Sequence, residues 1–162
     1  MKNTFFITIL CFLLMFLTSC KNDVDVAKKT QINQEKVTIT AKDILGNPNY
    51  LAISYGGYRT KDRANQPTIQ QLKEDLKLLH AMGIRILRTY NVQTQLPHAA
   101  HVLEAIHQLK NEDESFEMYV MLGAWIDCLN AWTNKTPNHN IESEQNKGEI
   151  ERAVQLANKY PE

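Results

Sequence analysis

Five residues of this chain have the side chains needed to hold a neutral, hydroxyl-rich ligand: Tyr55, Arg88, Tyr90, Asn91 and Trp125. They sit where short apolar runs give out. The runs end Ser54-Tyr55-Gly56-Gly57-Tyr58-Arg59, Arg88-Thr89-Tyr90-Asn91 and Gly123-Ala124-Trp125-Ile126-Asp127. An aromatic face stacks on the apolar C–H face of a sugar ring, while Arg and Asn groups meet its hydroxyls. Each residue also has a plainer use. Tyr55 and Tyr90 equally suit closing a barrel mouth. Arg88, inside an apolar run, suits a structural ion pair, because a buried guanidinium needs a charged or carbonyl partner. Trp125 suits a large core position, and Asp127 a solvated or capping loop carboxylate.

Other chemistry is less well supported by spacing. His98 and His101 stand i,i+3 on one predicted helix face, but no third ligand accompanies them, so no metal site is expected. His80 and His107 read as helix-surface residues, and His139 as a loop residue. The three cysteines form no CxxC or Cys/His cluster: Cys11 lies in an apolar leader, Cys20 closes it, and Cys128 stands alone. One remaining cysteine builds no disulfide framework, and nothing calls for a cofactor. Asn134-Lys135-Thr136 fits a glycosylation sequon, which a bacterial leader makes irrelevant. Eighteen basic residues balance eighteen acidic ones with no basic stripe. That argues against nucleic acid as a partner and favours a neutral ligand.

The amino terminus reads as an export signal. Lys2 is followed by an apolar run from Phe5 to Leu17, thirteen residues long. A bilayer span takes roughly 20, so residues 1–19 are expected to be a signal peptide. Leu17-Thr18-Ser19-Cys20 has the form of a lipobox, with Cys20 the lipidated residue; an ordinary secretory signal with an incidental Cys20 is the alternative. Residues 20–48 then form a polar tether. The expected location is the bacterial cell envelope, lipid-anchored at the outer membrane. Within the tether, Val37-Thr38-Ile39-Thr40 alternates like a short strand, and Leu45-Gly46-Asn47-Pro48-Asn49 is a turn cluster.

The domain that must position the five residues is expected over 49–162. Tyr50 to Tyr55 reads as a buried strand. Thr68 with Gln71 makes a capping box that opens a helix carrying Ile69, Leu72, Leu76, Leu79 and Met82, stopped by Gly83. Ile84 to Tyr90 is the second strand, Pro97 to Lys110 the second helix, and Phe116 to Trp125 the third strand. A polar insertion, 127–147, precedes a third helix over 148–160, with Ile150, Val154 and Ala157 as its apolar face. Strand and helix alternation implies parallel βαβ units. The fold class is α/β: a partial (β/α)₈ TIM barrel, about its first three βα units. A closed barrel takes roughly 250 residues, whereas the chain has 162.

Ala52-Ile53-Ser54-Tyr55-Gly56-Gly57-Tyr58-Arg59 resembles the opening strand of bacterial glycoside hydrolase family 17-like proteins, relatives of β-1,3-glucanases. So do Glu74-Asp75-Leu76, Gly83-Ile84-Arg85 and Arg88-Thr89-Tyr90. Val120-Met121-Leu122-Gly123-Ala124-Trp125-Ile126-Asp127 is similar to the third strand of that family, and Glu149-Ile150 through Pro161 to the helix before its fourth. The resemblance implies a TIM barrel that cleaves β-glucan with retention through two glutamates. Neither glutamate position falls within this sequence, so no catalytic residue is assigned; Glu162, after Pro161, is not one. What the resemblance carries over is a substrate-cleft wall of Tyr55, Arg88, Tyr90, Asn91 and Trp125. The expectation is an amino-terminal part of a membrane-anchored β-glucan hydrolase, inactive alone. A non-catalytic surface glycan-binding lipoprotein, or a fragment that does not fold by itself, are the alternatives.

Overall fold

The computed structural model describes residues 39–161. The signal segment, Cys20 and the tether up to residue 38 lie outside the described residues. In chain order the elements are α1 (Ala41–Ile44), β1 (Leu51–Ser54), α2 (Ile69–Ala81), β2 (Ile84–Arg88) and α3 (His98–Glu112). They continue with β3 (Tyr119–Met121), β4 (Cys128–Leu129), β5 (Asn138–Glu142) and α4 (Gln145–Lys159).

Local signals place several of these. Thr68 caps α2: its hydroxyl accepts the Gln71 N–H at 3.2 Å, and the Gln71 side chain accepts the Thr68 N–H at 3.0 Å. Gly83, at φ 87°, ends the same helix in the left-handed region that suits glycine. Ile39-Thr40 does not extend a strand; Thr40 precedes α1 and donates its N–H to Asp43 at 2.8 Å.

β1, β2 and β3 form one parallel sheet in that order. α2 and α3 cover one side of it. Leu72 and Leu76 of α2, Val102, Ala105, Ile106 and Leu109 of α3, Leu87 of β2, and Phe116 and Met118 make one apolar core with Tyr55. Leu72, Leu76 and Leu87 are completely enclosed, and each contributes about 1.5–3 kcal/mol by leaving water. Lys73, also buried, joins the two helices through an ion pair with Glu112.

Four expectations change. β1, read as a buried strand, is exposed at all four residues, because it is an edge strand with no second neighbour among the described residues. β3 covers only Tyr119–Met121, since the chain then turns in against Thr89: Gly123 donates its N–H to Thr89 Oγ1 at 3.0 Å. A Cβ at Gly123 would stand 2.4 Å from the Thr89 carbonyl oxygen. The polar insertion is not irregular, but folds as an antiparallel hairpin of β4 and β5. Finally, α4 starts at Gln145 and the residues expected as its apolar face are exposed, Ile150 at 49% and Val154 at 54%. Its buried residues are polar: Asn146 and Glu149.

Candidate functional site

Register brings the expected residues to one end of the sheet. Ser54 pairs with Arg88, and Arg88 with Met121. One step further, Tyr55 N–H donates to Arg88 O and Thr89 N–H to Met121 O, both at 3.1 Å. The three strands therefore finish in line, and the segments carrying Tyr55, Tyr90-Asn91 and Trp125 leave from the same carboxyl edge. Ligand sites of parallel sheets lie outside that edge.

The five residues do not share one environment there. Tyr55 is buried, and its hydroxyl donates to Asp75 Oδ2 at 2.8 Å. Arg59 grips the same carboxylate with two bonds of 2.8 Å and reaches Gln71 O at 3.0 Å. Burial, reinforced by the Asp75 carboxylate, pushes the Tyr55 phenol up. Burial alone would raise Asp75, but Arg59 and Tyr55 together hold it below the usual carboxylate range. Tyr55 thus clamps the Gly56-to-Arg59 loop onto α2 and does not line an open wall. Arg88 is exposed, its guanidinium 5.5 Å from the centre of the Tyr90 ring, and that ring is 43% exposed. Among the described residues no buried ion pair holds Arg88; the cation and the ring present a joint surface. Asn91 is half-buried and its Oδ1 accepts the Gln93 N–H in a long 3.4 Å contact.

The best-defined surface lies beside Trp125. Trp125 Nε1 donates to Asp127 Oδ2 at 2.8 Å, and Trp132 Nε1 donates to Asp127 Oδ1 at 3.1 Å. One carboxylate therefore fixes two indoles, whose centroids are 6.2 Å apart with planes inclined by 50°. They flank a cleft of about 540 Å³ whose other walls include Gln93, Asn130, Thr133, Ser143 and Gln145. Asp127 is neither merely solvated nor a simple cap, and Trp125, at 40% exposure, is not a core residue.

Behind this surface stands α4. Glu149 Oε1 accepts the N–H of Val92 at 2.7 Å and of Trp125 at 3.1 Å. Its Oε2 accepts from Arg152 Nη2 at 2.8 Å, while Arg152 Nε donates to Val92 O at 2.9 Å. Asn146 accepts the Asp127 N–H and donates to the Asp127 carbonyl, both at 2.9 Å. Two buried polar residues of one helix thus hold the loops after β2 and β3, the charged Glu149 in a fully partnered state.

Sequence reasoning passed over Trp132 and Glu149. Trp132 lay in an Asn-rich stretch read as an insertion; its signal was a tryptophan in a segment with no apolar run to bury it. Glu149 stood just before Ile150, the first position expected to be apolar. The histidines also differ from expectation. His98 is buried and stacked on Tyr58 at 5.0 Å, and His80 accepts the Glu117 N–H at 3.2 Å while stacking on Phe116. Among the described residues no cluster of His, Cys, Asp and Glu is arranged to hold a metal ion.

No family model matches the chain, and none of the curated proteins does. Among solved structures, an endo-laminarinase from Formosa Hel1_33_131 matches at 65% identity with a TM-score of 0.73. This chain is similar to part of an endo-laminarinase. The match covers 76% of the chain and 31% of that enzyme, so the chain spans about a third of the enzyme's length. At such identity and TM-score the matched segment has a fold similar to that part of the enzyme.

Proposed function

We propose that residues 49–162 are an amino-terminal part of a β-1,3-glucan hydrolase of the family 17 kind, the first three βα units of a (β/α)₈ barrel. In this reading the chain supplies cleft wall, and the acid/base and nucleophile carboxyls come from later strands. The observation that carries it is the aromatic surface at the carboxyl edge of the sheet, in a chain 65% identical to a stretch of an endo-laminarinase. Retaining hydrolysis needs two carboxyls about 5–5.5 Å apart, one attacking the anomeric carbon while the other protonates the leaving oxygen. The carboxylates best enclosed here are committed elsewhere: Glu149 to backbone N–H groups and Arg152, Asp75 to Arg59 and Tyr55. Asp127 holds the indoles. Arg88, Tyr90, Asn91 and Trp125 then meet sugar hydroxyls and C–H faces, with Tyr55 supporting the loop beside them. Cys20 carries the lipid that fixes the chain in the bacterial envelope.

The test is to incubate the full chain with laminarin and follow both retention and reducing ends. Affinity for laminarin without new reducing ends is expected. Turnover would overturn the assignment of the carboxyl pair to other strands, and absence of any affinity would overturn the β-1,3-glucan reading. The exposed indole pair also favours a second reading, a surface glycan-binding lipoprotein with no catalytic partner segment. Joining the chain to the remaining two thirds of the related enzyme separates the two, since only the first reading expects hydrolysis from the joined protein.

A further inference from the structure

Trp132 carries the most conspicuous anomaly of the described surface. It is 83% exposed, and its backbone sits at φ 60° in the left-handed region, where a bulky residue is an outlier. Neighbouring Asn130 is there too, at φ 64°, but Asn tolerates it far better. Strain of this kind persists only where the surroundings over-determine it, and it gathers at functional sites. Here the surroundings do so. Thr133 Oγ1 donates to Asn130 O at 2.8 Å, Asn130 Nδ2 to Thr136 O at 3.1 Å, and the Trp132 indole to Asp127.

Asp127 is itself held rigidly. Asn146 binds its backbone N–H and carbonyl, and Ser143 N–H donates to the same carbonyl at 3.0 Å. A buried residue of α4 therefore fixes the backbone of Asp127, and the Asp127 carboxylate bonds both rings. Because both indole N–H groups are used by Asp127, neither is available to donate to a ligand. What remains for recognition is the ring faces, which are apolar, with the side-chain amides of Gln93 and Gln145 beside them. Apolar faces ringed by neutral hydrogen-bonding groups match a pyranose, which offers C–H faces and hydroxyls together.

We propose that Trp132, presented by the β4–β5 hairpin and locked to Trp125 through Asp127, is a glycan-stacking residue that extends the cleft beyond the strand ends. Asp127 is its positioning residue. This rests on the reading of the cleft as a β-1,3-glucan site, and names a contact that the strand ends alone do not supply.

The experiment is titration of the full chain with laminarihexaose, and with hexasaccharides of other linkages as a panel, for wild type, W132A, W132F and D127N. Because Trp132 is so exposed, W132A should stay folded, with a cooperative thermal unfolding transition like that of wild type. Its affinity should fall about tenfold, with W132F recovering part of the loss. D127N should also weaken binding and diminish the Trp–Trp exciton signal in circular dichroism, which a purely structural role for Asp127 would leave in place. Wild-type binding with W132A unchanged would overturn the role of Trp132 and leave the β-1,3-glucan reading standing. Trp132-dependent binding of another glycan in place of laminarihexaose would overturn the linkage and support the platform. Binding of no glycan in the panel would overturn both.

Discussion

The Glu149 carboxylate accepts the backbone N–H of Trp125 at 3.1 Å, and the same oxygen accepts Val92 N–H at 2.7 Å. This one atom ties the loops after two neighbouring strands to a helix that has no apolar residue buried against them. Glu149 is 3% exposed, so its partners cannot be replaced by water. E149Q keeps the volume but loses the charge that makes these bonds strong, and should destabilise by about 2 kcal/mol. Chemical denaturation measures the loss, and a red shift of Trp125 emission should accompany it.

His98 makes folding depend on pH. Burial lowers its pKa to about 4, an effect that a bond with the Gly56 backbone opposes and His101 assists. The ring lies between Tyr58 and Tyr55, and its Nε2 has no hydrogen-bond partner among the described residues. In the unfolded chain the pKa is near 6.5. The folded state therefore resists protonation: stability is complete above about pH 6.5 and falls as pH drops toward 4. The difference corresponds to roughly 3 kcal/mol. Denaturation midpoints recorded between pH 7 and pH 4 should decline, and H98F, which keeps the stacking without the titration, should flatten that decline.

Trp132 should trade stability for its exposed ring. W132G relieves the left-handed backbone and removes a residue that contributes little burial, so the chain should gain about 1 kcal/mol. Thermal unfolding tests this; a variant less stable than wild type would show that the Asp127 bond outweighs the strain.

Gly123 should accept no side chain. The atom nearest a Cβ there is the Thr89 carbonyl oxygen at 2.4 Å, with the Tyr90 carbonyl carbon at 2.9 Å. Both are backbone, so no rotamer change makes room. G123A should cost about 2–3 kcal/mol and displace Trp125, read as lower Tm together with weaker laminarihexaose binding.

The parallel βα elements were legible because each is written locally. Thr68 and Gln71 state where α2 begins, Gly83 where it stops, and the spacing of Leu72 and Leu76, like that of Val102, Ile106 and Leu109, states which face is buried. Tyr90 and Trp125 were legible as surface aromatics because they follow the ends of apolar runs. The coarser part of the resemblance, to β-glucanases, agrees with the endo-laminarinase that the chain matches.

Contacts between distant segments were not written in any local pattern. Tyr55 reaches Asp75, 20 residues away, and Glu149 reaches Val92, 57 residues away. Periodicity reports how often apolar residues recur, and so it assigned the inner face of α4 to Ile150 and Val154. Folding placed Asn146 and Glu149 there instead, because unpaired N–H groups at the ends of two strands needed acceptors more than that side needed apolar cover. Sequence alone determined the order of the three parallel strands and the helices that follow them, and the residue types at the sheet's carboxyl edge. Tertiary structure decided which of those side chains are exposed, since exposure depends on the partner each polar group finds, and that partner is fixed only when the loops meet.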